Sequence, residues 1–204
     1  MTLVDIVARR RDALLKSWIR DPLILVQVES PQSLQRLVFL DDAGGGAVGA
    51  LGRRNAQNVA VVRDAANPDT NSSLWVAAKY ADYKAAYLSF IDNLYGLKAM
   101  GAELAGYDVD HLLNRARSPE DSTFIRVEAV PSDANQAWGR LFEKAASDPR
   151  FFANTRRERR TMSWIICAKL AGQMPPYGPG DSSGIGRLVD FFVLNWGVSI
   201  RRPP

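Results

Sequence analysis

The chain has 204 residues, 47% of them hydrophobic and 24% charged, which suits a globular protein of one domain with appendages or of two small domains. Its single cysteine, Cys167, excludes an internal disulfide framework and a cysteine-based zinc site, and its apolar neighbours indicate a buried, inert thiol. The net charge of +4 favours anionic partners only mildly, since many proteins without a nucleic-acid role are as basic.

The N-terminal sequence predicts neither a signal peptide nor a membrane anchor. "MTLVDIVARRRDALLKSWIRD" interleaves charged and apolar residues, whereas a signal peptide needs an uninterrupted apolar stretch. No part of the sequence approaches the roughly 18 consecutive apolar residues of a spanning helix. We therefore expect a protein that is cytoplasmic where it is made, has no membrane partner, and reaches another cell only through a specialised secretion route.

Residues 1–70 are predicted to form an N-terminal region of one helix and several strands. Apolar residues recur at helical spacing over residues 3–20, and Asp21-Pro22 ends that pattern. "LILVQVE", "LQRLVFLDD" and residues 59–62 are typical of strands. The segment "DAANPDTNSS" has the composition of an exposed turn or linker, and we place the boundary with the rest of the chain there.

A glycine-rich stretch in this region, "GGGAVG" at residues 44–49, satisfies the dinucleotide-binding pattern G-x-G-x-x-G. That fingerprint also requires a helix that opens on the third glycine, so that the helix N-terminus meets a pyrophosphate. The following "ALGRRNAQN" has no apolar helical face. The stretch is therefore predicted to be a flexible loop.

Residues 71–204 are predicted to be mainly helical around one hairpin. Helix is expected to dominate "SLWVAAKYADYKAAYLSFIDNLYGLKAMG", in which aromatic residues recur every three to five positions. A strand that ends at His111, a polar loop, a strand "FIRVEAV" and a helix over residues 132–146 follow. "TMSWIICAKLAG" is predicted to be a buried helix and "IGRLVDFFVLNW" a last apolar segment, while the basic run "RRERR" suits either a phosphate contact or a solvated helix start.

The only histidine of the chain, His111, stands in "GYDVDHLLNRAR" beside Asp110 and ahead of two arginines, Arg115 and Arg117. Hydrolysis of a phosphodiester requires a base for the attacking water, a cation near the phosphate oxygens and stabilisation of the developing charge. Neutral imidazole is a base near pH 7. Asp110 and Asn135 offer the hard oxygen ligands that Mg²⁺ prefers, and the two arginines can clamp the phosphate.

The same residues also have a purely structural interpretation, in which His111 hydrogen-bonds a loop and Asp110 caps a turn. Asp108 lies two residues before Asp110 and therefore on the same face of the predicted strand. It is therefore a candidate for a second cation ligand, or for the true ligand in place of Asp110.

The order of strand, loop, strand and helix, with "DVDH" and a helical asparagine, resembles the His-Me finger endonucleases, also called ββα-metal or HNH nucleases, over residues 105–146. The resemblance implies that His111 is the general base, that Asp110 ligates the metal, and that Asn135 ligates it or orients the loop. Many members carry a third histidine or asparagine where this chain has Glu143, which is either a further metal ligand or a solvated helix residue.

We therefore expect an α+β fold in which a ββα-metal catalytic unit is embedded in helices, within an HNH-like domain over residues 71–204. The expected activity is endonucleolytic cleavage of nucleic acid, DNA rather than RNA, with one divalent cation, Mg²⁺ before Mn²⁺ or Zn²⁺. Such an enzyme suits a bacterial toxin or effector with a neutralising immunity protein, or a phage or mobile-element nuclease. The alternative is a non-catalytic adaptor that binds nucleic acid or protein through its basic face and N-terminal helix.

Overall fold

The computed structural model describes residues 1–34, 47–49, 51, 57–64, 66–98, 101–115, 118, 123–140, 160–175 and 183–198. Within these ranges the chain is a mixed α+β protein, as its sequence predicts, with seven strands in one antiparallel sheet. The strands are β1 (Leu25–Val28), β2 (Ala47–Gly49), β3 (Val59–Arg63), β4 (Ser73–Ala77), β5 (Tyr107–His111), β6 (Phe124–Pro131) and β7 (Arg160–Thr161). The α-helices are α1 (Leu3–Arg20), α2 (Tyr83–Tyr95), α3 (Ser132–Trp138), α4 (Trp164–Leu170) and α5 (Ser183–Trp196), and a 3₁₀ helix spans Gly101–Glu103.

Helix α1 is fixed at its N-terminus by a capping box. The Thr2 hydroxyl accepts a hydrogen bond from the backbone N–H of Asp5, and the Asp5 carboxylate accepts one from the backbone N–H of Thr2. This pairing satisfies backbone donors that the start of a helix otherwise leaves unpaired. The helix runs to Arg20, so the prediction of a helix over residues 3–20 is confirmed.

The sheet is organised around β6, at eight residues the longest of the described strands. The strand order is β2-β3-β4-β6-β1-β7, and β5 pairs with β6 outside that path. Val127 of β6 pairs with both Leu74 of β4 and His111 of β5, so β4 and β5 flank β6 on opposite sides. β1 pairs with Phe124 and Ile125, which also pair with β4, and β1 therefore lies on the same side of β6 as β5.

Strand β4 shows that the prediction of mainly helix over residues 73–101 is wrong at the beginning of that stretch. Ser73–Ala77 pairs with β3 on one side and with β6 on the other. All five residues of the strand are buried, because alternate side chains belong to two different hydrophobic clusters. A strand that is buried on both faces has a continuous apolar sequence, which periodicity does not distinguish from a helix. The helix itself, α2, begins at Tyr83.

One sheet joins the two segments that the sequence divides near residue 70. β1 and β3 come from residues 1–70, and they pair with β6 and β4 from residues 71–204. The predicted turn "DAANPDTNSS" connects β3 to β4, and its Asp64 carboxylate accepts hydrogen bonds from the N–H groups of Ala66 and Asn67. The two segments therefore share a sheet and its core.

The glycine-rich stretch that is predicted to be a loop ends in a strand. Ala47–Gly49 form β2, antiparallel to β3 with Val48 opposite Val62, and the preceding glycines lie outside the described residues. The predicted strand "LQRLVFLDD" also lies outside them, apart from Leu34, which is helical together with residues 31–33. Residues 156–159 of the basic run are outside them too.

Helices pack on the sheet in two large hydrophobic clusters, and α1 contributes to both. Its first half packs with α2 against β3, β4 and β6, whereas its second half packs with α3, α4 and α5. Helix α4 carries the buried Cys167, and burial raises the pKa of its thiol, as expected of an inert cysteine. None of the helices in the described ranges has the length and apolar character needed to cross a membrane.

A charged residue of α1, Arg10, lies inside the core. Its guanidinium donates to the Glu128 carboxylate at 3.1 Å and to the backbone carbonyls of Pro68 and Ser72, each at 2.9 Å. The buried Arg126 donates to the same carboxylate at 2.9 Å. Glu128 is therefore held between two buried guanidinium groups, and the network ties α1 to β6 and to the β3–β4 connection.

Candidate active site

The residues predicted to carry chemistry lie on a hairpin and on the helix that follows it. β5 and β6 are antiparallel, with His111 opposite Val127, and α3 begins directly after β6. The backbone N–H of Ser132, the first residue of α3, donates to the Gly106 carbonyl at 2.9 Å. Gly106 has a φ of 83°, in the left-handed region that favours glycine, and it leads into β5. The first turn of α3 is therefore held beside the start of β5.

Asp108 and Asn135 meet across this junction, one from β5 and the other from α3. Nδ2 of Asn135 donates to Oδ2 of Asp108 at 3.3 Å. The family resemblance favours Asp110 as the carboxylate beside Asn135, with Asp108 as the alternative, and the structure brings Asn135 to Asp108. This contact joins two of the residues predicted to hold a cation.

Asp110 contacts a different residue, Lys169 of α4, whose Nζ lies 2.9 Å from Oδ2 of Asp110. The lysine side chain is 2% exposed and the aspartate side chain 26% exposed, so the pair lies where the core meets solvent. Lys169 is not among the residues singled out from the sequence. The available signal is a lysine within the apolar run "WIICAKLAG", because a lysine is almost never fully buried unless it is paired.

His111 ends β5 and is buried, with 5% of its surface exposed. Its ring packs on that of Tyr83, the first residue of α2, with centroids 4.4 Å apart. Nε2 is buried, and no hydrogen-bond partner for it occurs in the part of the chain that the structure describes. Burial lowers the pKa of His111 to about 4, with a smaller opposing effect of the Asp110 charge. His111 is therefore neutral at pH 7, which is the form that accepts a proton.

We expect this histidine to make the fold sensitive to acid. Its pKa is about 4 in the folded state against 6.5 ordinarily, so below pH 6.5 the unfolded chain takes up a proton that the folded chain does not. Between pH 6.5 and pH 4 up to about 3 kcal/mol of stability is therefore lost. Urea unfolding at pH 7 and at pH 4.5 measures the loss. It should be larger for the native chain than for His111→Phe, which keeps a ring beside Tyr83, and equal losses would contradict the burial of a neutral imidazole.

Asp110 and His111 point to opposite faces of β5, because successive side chains of a strand alternate. Asp108 and Asp110 face α3 and α4, whereas His111 faces α2. Among the described strands β5 pairs with β6 alone, so it forms a rim of the sheet, where groups of both faces can approach one substrate. The two faces also interact electrostatically: after burial, the charges of Asp110 and Asp108 are causes of the raised pKa of Tyr83.

Arg115 is exposed in the loop after β5, as a phosphate-binding residue requires. Its charge reaches the pair of His111 and Tyr83, since it acts on both of their pKa values after burial and Asp110. Arg117 and Glu143, the other predicted phosphate and metal contacts, lie outside the described residues. Arg115 is therefore the predicted phosphate ligand that lies within the described residues, and its charge acts on His111.

Asp108 and Asn135 could together hold a divalent cation, whereas Asp110 is ion-paired with the ammonium group of Lys169. Neighbouring ligands of an octahedral Mg²⁺, each about 2.1 Å from the ion, lie about 3 Å apart. The observed separation is 3.3 Å, and rotation of the Asn135 amide by about 180° presents its oxygen to the same point. No group of three His, Cys, Asp or Glu side chains suited to a metal occurs within the described ranges. A Mg²⁺ site of one or two carboxylates and several waters does not require such a group.

Comparisons with known proteins leave this site to be interpreted from its own chemistry. No protein-family model matches the sequence, and neither a curated protein nor a solved structure matches the chain.

Proposed function

We propose that the chain is a metal-dependent endonuclease that hydrolyses phosphodiester bonds of nucleic acid, DNA rather than RNA. One observation carries the proposal: Nδ2 of Asn135 in α3 lies 3.3 Å from Oδ2 of Asp108 in β5, the strand that ends at the neutral His111. β5, β6 and α3 are then the ββα-metal unit. Carboxylate, amide and imidazole are groups that a cation-assisted attack of water on a phosphodiester requires.

His111 is the proposed general base. In its neutral form it accepts a proton from the water that attacks phosphorus and later returns that proton to solvent, while the leaving oxygen takes up a proton from solvent as its bond to phosphorus breaks. A pKa of about 4 makes His111 a weak base before substrate binds. The negative charge of a bound phosphate raises this pKa towards the working pH, because an anion stabilises the imidazolium form.

Asp108 and Asn135 are proposed to hold the cation, and Arg115 to bind the phosphate. A bound Mg²⁺ supplies positive charge to the phosphate and leaving oxygens. The Arg115 guanidinium can bind two phosphate oxygens at once from its exposed loop. The net charge of +4 adds an attraction to nucleic acid that does not depend on base sequence.

The direct test is cleavage of a supercoiled plasmid and of a single-stranded RNA in the presence of Mg²⁺, Mn²⁺, Zn²⁺ or a chelator. We expect nicking of the plasmid with Mg²⁺ or Mn²⁺, weaker cleavage of the RNA, and no cleavage with the chelator. Asp12→Asn is a suitable control, because Asp12 is a half-exposed residue of α1 whose ion-pair partner is the neighbouring Arg11. A well-folded chain that cleaves neither substrate with any of the three cations would show the proposal to be wrong.

We expect the two proposed cation ligands, Asp108 and Asn135, to contribute differently to the affinity for the cation. Asp108→Asn removes a full negative charge, so it should raise the half-saturating Mn²⁺ concentration for cleavage by about tenfold or more. Asn135→Ala removes a neutral oxygen and should raise it less, and excess Mn²⁺ should restore part of the activity of both variants. Asp133→Asn is the matched control, an exposed carboxylate in the first turn of the same helix. If Asp108→Asn has no more effect than Asp133→Asn, the cation is bound elsewhere.

A second candidate function, non-catalytic binding of nucleic acid or protein, is favoured by two specific contacts. Asp110 is neutralised by Lys169, and His111 packs against Tyr83 with a pKa well below 7. A binding protein would retard the plasmid in a gel without cutting it, whichever cation is present. The plasmid experiment therefore separates the two functions.

The biological setting proposed for the nuclease is that of a bacterial toxin or effector with a neutralising immunity protein. Growth arrest on expression, relieved by His111→Ala, is the expected sign of a toxin. A phage or mobile-element nuclease is the alternative setting.

A further inference from the structure

Lys169 is the charged side chain of α4 that reaches the candidate site, and its position is fixed by the core around it. Its neighbours in the helix, Cys167, Ala168 and Leu170, are buried in the hydrophobic cluster that also contains α3 and α5. The ammonium group lies 2.9 Å from the Asp110 carboxylate, at the edge of this apolar surrounding. Removing that carboxylate from a buried ammonium would cost several kcal/mol.

Asp108 and Asp110 are otherwise equivalent candidates for a cation. They lie two residues apart on the same face of β5, so their side chains are about 7 Å apart along the strand. The difference between them is the partner: Asp108 accepts a hydrogen bond from the neutral amide of Asn135, whereas Asp110 is paired with a positive charge. A divalent cation that approached Asp110 would be repelled by Lys169 and would have to compete with it.

We propose that Lys169 is a positioning residue that occupies Asp110 and thereby directs the divalent cation to Asp108 and Asn135. The inference rests on the proposed function, since it concerns the cation of that site. It assigns Asp110 to the lysine and leaves Asp108 as the carboxylate ligand. The site consequently takes up one exchangeable cation weakly rather than holding it with two carboxylates.

The test measures Mn²⁺ binding directly, by titration calorimetry and by the paramagnetic signal of free Mn²⁺, on the full-length chain without nucleic acid. Asp110→Asn should change the dissociation constant by less than about threefold, whereas Asp108→Asn should weaken binding by about tenfold or more. Lys169→Met, which has nearly the same length without the charge, should tighten binding by about tenfold, because it frees the second carboxylate. Lys169→Arg keeps the charge and should resemble the native chain. The double variant Lys169→Met with Asp110→Asn should return to the native affinity.

The outcomes separate this inference from the proposed function. Weaker binding in Asp110→Asn than in Asp108→Asn, or a loss of affinity in Lys169→Met, overturns the role of Lys169 while leaving a cation site in place. Absence of Mn²⁺ binding by the native chain overturns both. Should Lys169→Met fail to fold, the comparison of Asp110→Asn with Asp108→Asn still decides, because position 110 is a quarter exposed and the amide oxygen of asparagine still accepts a hydrogen bond from the Lys169 ammonium.

Discussion

Replacing His111 with alanine should reduce cleavage of a supercoiled plasmid by about 10²–10⁴-fold, which is the usual contribution of a positioned general base. No other histidine exists in the chain to substitute for it. The cation cannot compensate, because it lowers the pKa of water without accepting the proton. Increasing the Mn²⁺ concentration should therefore restore part of the cleavage activity of Asp108→Asn but not that of His111→Ala. This contrast would identify the imidazole as a base rather than as a metal ligand.

The burial of His111 determines the controls for this experiment. Alanine leaves a cavity between β5 and Tyr83, so part of any loss could come from destabilisation. Two measurements separate the effects: the urea midpoint, and rescue of His111→Ala by added imidazole, which fits the cavity and supplies the missing base. His111→Phe fills the space and should be stable and inactive. Undiminished cleavage by a well-folded His111→Phe chain would show that His111 is not the general base.

The hairpin and helix around this histidine were predictable from the sequence, because they depend on local signals. "YDVDH" and "FIRVEAV" have the composition of strands, and the helical start at Ser132 follows from the change of pattern after Pro131. The predicted strand ends at His111, as β5 does, and the predicted helix begins at Ser132, as α3 does; α3 extends to Trp138, and most of the remaining predicted helix lies outside the described residues. Contacts between distant segments were not predictable in the same way. The pairing of β4 with β6 is an example, because the apolar sequence of β4 suits a helix and a strand equally.

The partners of the charged residues were the other limit of sequence reasoning. Lys169 lies 59 positions from Asp110 along the chain, and no spacing rule connects them. The choice between Asp108 and Asp110 likewise depends on which of them α3 and α4 reach. The placement of Arg10, by contrast, had a local signal: it falls on the same helical face as the buried Leu3, Ile6, Val7 and Leu14. A charged residue on an apolar face predicts a buried partner, which the structure identifies as Glu128.

Removing the negative charge of Glu128 should destabilise the fold by about 3–5 kcal/mol, a large part of the stability of a typical domain. Glu128→Gln keeps the size of the side chain but leaves Arg10 and Arg126 facing each other in the core without a counter-charge. Burial disfavours the charged form of Arg10, but the Glu128 carboxylate, together with Tyr87 and Tyr95, more than offsets this effect, so the pKa of Arg10 is raised. Urea unfolding of Glu128→Gln measures the loss, and its melting temperature should fall by on the order of 10 °C.

Arg9→Met is the matched control for this prediction, since Arg9 precedes Arg10 in the same helix and also pairs with a carboxylate. Its bond to Asp69 is short, at 2.6 Å, but the Arg9 side chain is 46% exposed, so its removal should cost less than about 1 kcal/mol. Combining Arg10→Met with Glu128→Met should recover part of the stability that either change alone removes, because no lone buried charge of that pair remains. A cost for Glu128→Gln no larger than that for Arg9→Met would mean that water reaches the network. The distinction matters for the site because the network anchors β6, the strand that pairs with β5, and Glu128 is the cross-strand neighbour of Asp110.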